Sequence, residues 1–238
     1  MDLSVVIPVK NEAGNIAPLV GEIAAALQGV DYEIVYVDDG SDDGTAAEIA
    51  ALRRDMANLV LVRHRQSCGQ SAAIRSGVKA ARGAWIATLD GDGQNDPADI
   101  PELWRLAQAA PPRPPLLLAG RRAQRRDSWS KRAASRVANA VRRLLLHDDT
   151  PDTGCGLKLM PRELFLELPY FDHMHRFLPA LVLRAGGVVR SVPVNHRPRA
   201  RGTSKYGILD RLAVGVTDLF GVMWLRRRGS RPALIDDG

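Results

Sequence analysis

Apolar positions follow two rhythms that alternate along the first half of the chain. Leu3-Ser4-Val5-Val6-Ile7-Pro8-Val9 is a short β-branched run of the kind that forms a strand buried on both faces. From Asn15 to Leu27 the period changes, and Ile16, Leu19, Val20, Ile23, Ala24 and Leu27 recur at helical spacing before Gly29. The alternation continues with a strand at 33–37, a helix at 45–54, a strand at 59–62, a helix at 71–81 and a strand at 85–89. A helix at 99–109, the proline-rich segment 111–115 and a strand at 116–119 follow. Further on, 155–160 and 188–194 read as strands with a helix at 174–185 between them. This order predicts an α/β, Rossmann-like fold: a mostly parallel central sheet with helices on its faces.

Two later segments carry amphipathic patterns. Residues 121–143 set nine basic side chains and one acid, Asp127, around an apolar stripe of Trp129, Ala133, Val137, Ala140, Val141 and Leu144. From Gly207 to Leu225, Ile208, Leu209, Leu212, Val216, Leu219, Phe220 and Met223 share one predicted face, and Arg226-Arg227-Arg228 closes the helix. Both have the character of helices that lie on an anionic membrane surface; a helix packed on the sheet with solvated arginines has the same pattern. The run from Leu212 to Leu225 is interrupted by Asp218 and is too short to span a bilayer.

Charge divides the chain. Residues 1–120 hold 10 Lys+Arg against 16 Asp+Glu, a balance of −6, and residues 121–238 hold 23 against 11, a balance of +12. Basic halves of this kind meet phosphate, whether of nucleic acid, anionic lipid or a small ligand. The 238 residues suffice for one large domain, and 45% apolar content is ordinary for a soluble protein. The two cysteines, Cys68 and Cys155, lack metal-type spacing and read as small core or loop residues. With no signal-type N-terminal segment, the expected compartment is a reducing cytoplasm.

The candidate chemistry lies where the strand at 85–89 runs out into Asp90-Gly91-Asp92-Gly93-Gln94-Asn95-Asp96-Pro97. Carboxylates two apart on an extended segment share a face, so Asp90 and Asp92 can address one cation; a polar strand-to-helix turn looks the same in isolation. The first strand is not followed by a Gly-x-Gly-x-x-Gly turn, and no phosphate loop ending in Gly-Lys-Ser/Thr occurs, which disfavours both of those nucleotide sites.

Several separated stretches coincide with a known family. Ser4 to Glu12, Val37-Asp38-Asp39-Gly40-Ser41-Asp42-Asp43-Gly44-Thr45 and the acidic stretch resemble family two glycosyltransferases of the GT-A fold. Asp152-Thr153-Gly154-Cys155-Gly156-Leu157-Lys158 and His196-Arg197-Pro198-Arg199-Ala200-Arg201-Gly202-Thr203-Ser204-Lys205-Tyr206-Gly207 resemble its polyprenyl-phosphate branch, which includes dolichol-phosphate mannose synthase and bacterial relatives. The resemblance implies an inverting transfer of a hexose from a nucleotide-diphosphate sugar, GDP-mannose or a UDP-sugar, to a polyprenyl phosphate, at the cytoplasmic face of a membrane. It divides the chain into a glycosyltransferase domain at 1–206, donor-binding over 1–120 and acceptor-binding over 121–206, with an amphipathic tail at 207–238.

Residue by residue, the resemblance implies that Pro8, Val9, Glu12, Val37 and Asp39 bracket base and ribose, and that Gly91 lies along the donor. Asp90, Asp92 and Gln94 match positions at a divalent cation, Mg²⁺ or Mn²⁺. Arg122 matches an arginine that meets donor and acceptor phosphates, although the family more often has a small residue where Arg121 stands. Lys131 or Arg132, with Ser135, matches the acceptor-phosphate region. Arg199 and Lys205 match residues that close over the donor phosphates, and with Asp92 they form the expected catalytic set. Asp38, Asp42 and Asp43 read as solvated loop residues. His175 and Arg176 resemble a stretch near the acceptor entrance, where Asp172, His173 and His175 read as a helix N-terminus rather than a metal site.

The implied chemistry needs no general base. A polyprenyl phosphate is already an anion, so the charge to be stabilised is that of the leaving diphosphate. Two other readings compete: a nucleotidyltransferase of the same fold, for which Lys10-Asn11-Glu12-Ala13-Gly14 is a poor phosphate loop, and a non-enzymatic basic module binding membrane or nucleic acid. Nucleic acid is disfavoured because no stacking aromatics interleave the basic segment. The tail leaves an oligomer open.

Overall fold

The computed structural model describes residues 1–122, 142, 145, 146, 148–198 and 208–228, with side chains of the last segment from 215 onward. Most of the predicted basic helix, with Lys131, Arg132 and Ser135, lies outside the described residues, as does the segment holding Arg199 and Lys205.

The strands are β1 (Leu3–Val9), β2 (Tyr32–Asp38), β3 (Leu59–Arg63), β4 (Trp85–Thr88), β5 (Leu116–Arg122), β6 (Lys158–Pro161) and β7 (Val188–Val194). The helices are α1 (Ile16–Ala26), α2 (Thr45–Leu52), α3 (Gln70–Ala80), α4 (Ile100–Gln108), α5 (Arg162–Glu167), α6 (Leu178–Arg184) and α7 (Ile208–Arg227). The sheet order is β3-β2-β1-β4-β6-β5-β7. All pairings are parallel except those of β6, which runs antiparallel to both β4 and β5. β7 forms one edge and carries Arg190 and the exposed Pro193.

The periodicity explains the layers. Along β1 and β2 both faces are buried, so neither alternates apolar with polar. One core lies between the sheet and Ile16, Leu19 and Ile23 of α1, Ile49 of α2, and Ile100 and Leu103 of α4. The other lies between the opposite face and Ala73, Ile74 and Val78 of α3, Phe165 of α5, and Leu178 and Leu181 of α6.

Four sequence expectations are corrected. The strand expected at 155–160 begins only at Lys158, because Gly154 to Gly156 form a turn against the acidic stretch. The helix expected at 174–185 is a short 3₁₀ turn, Met174–Arg176, followed by α6, since His173 has a positive φ of 64° and Pro179 favours a fresh first turn. Asp38 is not a solvated loop residue: it is 1% exposed, accepts a bond from the Ser41 amide (2.9 Å) and faces Arg63 at 3.5 Å. The single apolar face expected for the tail is divided, with Leu219, Val222 and Met223 packed on the second core while Val216, Phe220 and Trp224 are 47%, 61% and 59% exposed. Spacing of four along the helix sets those three on a stripe of their own.

A buried carboxylate ties β1, β2 and the entry to β4. Glu33 accepts bonds from the Ser4 hydroxyl (2.7 Å), the Arg82 amide (2.6 Å) and the Arg82 Nε (3.0 Å). Burial alone would raise its pKa; these donors outweigh that and hold it below the ordinary value. Its stabilising contribution is therefore present above the carboxylate range of the unfolded chain and is lost as pH falls through the folded pKa. Glu33→Gln should lower stability by about 1–3 kcal/mol at neutral pH, and the difference from wild type in urea unfolding should shrink toward pH 3; a gap independent of pH would contradict this.

Candidate active site

The antiparallel insertion of β6 brings residues far apart in sequence to one edge of the sheet. Thr88, the last residue of β4, pairs with Lys158, the first of β6, and Arg122, the last of β5, pairs with Val194 of β7. The carboxyl ends of β1, β2, β4, β5 and β7 thus open on the same side, where open α/β sheets place ligands.

The side nearest β2 and β3 is built around Asp39. Its Oδ1 accepts from the Cys68 amide (2.8 Å) and meets His64 Nδ1 at 2.7 Å, and its Oδ2 accepts from the Ser67 hydroxyl (2.8 Å) and the Gly69 amide (2.9 Å). Burial opposes its charge, but these donors hold the carboxyl below its usual value. Beside it is a cleft of about 490 Å³ lined by Asp38, Gly40, Ser41, Asp42, Arg63 and His64, a volume suited to a small ligand. The segment after β1 is stapled to the far wall: Asn11 Nδ2 donates to Asp42 (2.6 Å), the Glu12 amide to Thr45 Oγ1 (2.9 Å) and the Ala13 amide to Asp43 (3.2 Å). Asp42 and Asp43 are therefore loop-tying acceptors.

The acidic stretch lies against β1 and β6. A Cβ on Gly91 would come within 2.4 Å of Val9 Cγ1, and one on Gly156 within 2.3 Å of Asp90 Oδ2, so both close approaches require glycine. Asp90 accepts a bond from Gln70 Nε2 (2.8 Å) and donates its amide to Asn95 Oδ1 (3.0 Å); Asp92 is buried and accepts from the Gln94 amide (3.1 Å). Burial and the neighbouring Asp92 push the Asp90 carboxyl up to about 6, against the pull of Lys158, Gln70 and Arg122. Two carboxylates in mutual repulsion, with a side-chain amide following, are a hard oxygen donor set suited to Mg²⁺ or Mn²⁺.

Cations face this set. Lys158 is 3% exposed and donates to the carbonyls of Thr153 and Cys155; burial lowers its pKa, and Cys155, Asp90 and Asp152 raise it. Arg122 forms a bidentate pair with Asp152, both bonds 2.7 Å, whereas Arg121 is exposed. Buried Arg142 holds the preceding turn through Asp148 (3.2 Å), Thr153 Oγ1 and the Thr150 carbonyl. Behind Lys158, His175 Nδ1 lies 2.7 Å from Ser71 Oγ; burial, then Lys158, keeps its pKa well below the ordinary value, so it is neutral.

The segment after β7 is fastened to the acidic stretch. Asn95 and His196 form an antiparallel bridge, the Arg197 amide donates to the Gln94 carbonyl (2.9 Å), and Gln94 Nε2 lies 3.4 Å from the Arg197 carbonyl. The Arg197 guanidinium donates to the carbonyls of Gly93 (3.2 Å) and Asn95 (3.1 Å) and pairs with Glu22 of α1 (2.7 Å).

Pro8, Val9, Glu12, Val37, Asp39, Asp90, Gly91, Asp92, Gln94 and Arg122 thus gather along one sheet edge. Sequence reasoning assigned no role to Gln70, Asn95, Asp152, Lys158 or Arg197. Lys158 had a visible signal of its own, a single charge inside Leu157-Lys158-Leu159-Met160, and Asn95, Asp152 and Arg197 lay within the stretches that resemble the family. The family model described as glycosyl transferase family 2 matches residues 4–168. The chain belongs to glycosyl transferase family 2.

Among its relatives, the dodecaprenyl-phosphate galacturonate synthase of Rhizobium johnstonii is 36% identical over 241 residues, covering 98% of this chain and 69% of that protein. An undecaprenyl-phosphate 4-deoxy-4-formamido-L-arabinose transferase of Edwardsiella ictaluri is 34% identical over 210 residues, covering 87% of this chain and 63% of the relative. The chain thus spans about two thirds of the length of these curated relatives. Among solved structures, glucosyl-3-phosphoglycerate synthase of Mycobacterium tuberculosis, in complex with Mn²⁺, UDP and phosphoglyceric acid, aligns with a TM-score of 0.69 at 20% identity, over 97% of this chain and 80% of that one. The fold is therefore the one expected.

Arg197→Ala removes every guanidinium bond between the segment after β7 and the acidic stretch, and should cost about 1–3 kcal/mol in urea unfolding. Glu22→Ala removes only the exposed ion pair and should cost less than about 1 kcal/mol. Equal losses would show that the carbonyl contacts contribute nothing.

Proposed function

We propose that the protein transfers a sugar, with inversion, from a nucleotide-diphosphate sugar to a polyprenyl phosphate at the cytoplasmic face of a membrane. The observation that carries this reading is the meeting of Asp90 and Asp92 with Lys158 and Arg122 at the sheet edge, beside the cleft next to Asp39. The names of the two relatives support the acceptor class and differ in the sugar, so GDP-mannose, a UDP-hexose and other nucleotide sugars are all candidate donors. Family membership displaces the nucleotidyltransferase and the non-enzymatic module.

In this reading the base and ribose sit among Pro8, Val9, Glu12, Val37 and Asp39, and the diphosphate reaches Asp90 and Gly91. Asp90, Asp92 and Gln94 hold Mg²⁺ or Mn²⁺, which when bound neutralises charge on the departing diphosphate. Arg199 and Lys205 close over that diphosphate. Arg122, Lys131, Arg132 and Ser135 receive the acceptor phosphate, whose ionised oxygen attacks the anomeric carbon from the face opposite the leaving group. The Lys158 ammonium, when protonated, offsets the charge of the carboxylates, so two anionic substrates can approach an acidic floor. Residues 1–120 serve the donor, 121–206 the acceptor and 207–238 the membrane.

Incubation with Mn²⁺ or Mg²⁺, a panel of UDP- and GDP-sugars and a short polyprenyl phosphate should yield lipid-linked sugar and free nucleoside diphosphate. Asp92→Asn should reduce turnover roughly a hundredfold or more with little change in acceptor binding, and chelation should abolish transfer. Absence of product with every donor would refute the activity.

For the membrane, the exposed stripe Val216, Phe220 and Trp224, with Arg227 and Arg228 at its end, has the apolar and basic character of an interfacial helix. Among the described residues no helix is long and apolar enough to cross a bilayer. Replacing Phe220 and Trp224 together by Ser should weaken flotation with anionic vesicles by roughly tenfold; unchanged flotation would remove α7 from the interface.

A further inference from the structure

One cluster beside the cleft offers donors unlike those of the acidic stretch. Asp39, His64 and Cys68 each present a ligand atom, and these atoms all lie within 4.8 Å of one another. We propose that these three residues form a second metal site, one that takes a borderline or soft divalent ion such as Zn²⁺ and competes there with the nucleotide.

The donor chemistry supports the choice of ion. A thiolate, an imidazole and one carboxylate select Zn²⁺ over Mg²⁺ or Mn²⁺, whereas Asp90, Asp92 and Gln94 offer only oxygen. Three protein ligands leave a fourth tetrahedral position for water. Two ligands on one tetrahedral ion lie about 3.5 Å apart, so His64 Nδ1, now 2.7 Å from Asp39 Oδ1, needs to withdraw by less than an ångström. The thiol, on an exposed residue, can turn in by rotation about its own side chain.

The surroundings suit a ligated histidine. His64 Nε2 lies 2.9 Å from Ser76 Oγ, so when Nδ1 binds metal the Nε2 proton has an acceptor that fixes tautomer and ring plane. The loop bearing Cys68 is held in place before any ion arrives. Its Ser67, Cys68 and Gly69 all donate to Asp39, and Gly40 lets it approach so closely that a Cβ there would lie 2.7 Å from the Gln66 backbone. Gly69, at φ 89°, completes the turn into α3.

The competition rests on the proposed function, in which Asp39 serves the nucleotide base. An ion that uses the Asp39 carboxylate and draws His64 toward itself takes the carboxylate from the base and His64 from the cleft wall. Millimolar Mg²⁺ or Mn²⁺ would thus support the reaction at one site, while a thiophilic ion at the other would oppose donor binding.

Co²⁺ titration of the metal-free, reduced full-length protein is the test, because cobalt bound to a thiolate gives a sulfur-to-metal charge-transfer absorption that oxygen-only sites do not. Saturation at one thiolate-bound Co²⁺ per chain is expected, with at least a tenfold loss of affinity in Cys68→Ser and in His64→Gln, displacement by Zn²⁺, and weaker occupancy in the presence of UDP or GDP. No thiolate band in the wild type, or an undiminished band in Cys68→Ser, would overturn the site; a band indifferent to both nucleotides would overturn the competition. The optical signal requires neither sugar donor nor lipid acceptor, so its failure is distinct from a failure of the transferase reading.

Discussion

Two carboxylates at the buried end of one strand repel each other, and the rest of the candidate site exists in relation to that repulsion. In Asp90, burial and then the neighbouring Asp92 charge push the carboxyl up to about 6. Lys158 and Arg122 answer it from two other strands, and they can do so only because β6 enters the sheet antiparallel, with its first residue opposite the last residue of β4. A slip of one residue in that pairing would turn Lys158 to the other face of the sheet and put an apolar side chain in its place. Strand register therefore decides the electrostatics of the site.

The same edge is held from above by Arg197 and from below by the turn at Gly154–Gly156, where Thr88 Oγ1 donates to the Gly156 carbonyl at 2.6 Å. These contacts use backbone groups heavily. They make the acidic stretch part of the scaffold rather than an exposed loop, so the fold itself fixes where its carboxylates stand.

Much of the fold was legible in sequence because its first half is built of βαβ units whose periods switch cleanly. The same reading missed α5, whose six residues are too few to show a period, and ran one helix through 174–185 that the backbone at Phe177 divides. The acidic stretch was visible as two carboxylates on one face at a strand end, and it and Asp39 gained a role only through the family resemblance. The roles of Gln70, Asn95, Lys158 and Arg197 were not legible, since they arise only when segments up to about a hundred residues apart meet at the edge. Asp38 was misjudged for the converse reason: an aspartate in a run of polar residues gives no sign that the strand before it carries it inside. In α7 the apolar residues were counted correctly, but a helix that packs on one side and is bare on the next has the same composition as one that packs throughout.

The far edge of the sheet bears on how such a protein survives crowding. β7 would present a row of unpaired backbone groups to any neighbour, yet Pro193 supplies no amide there and Arg190 adds a charge to the same strand. An edge so interrupted is a poor template for another strand. Copies of the chain at high local density can thus sit side by side without their sheets joining into one.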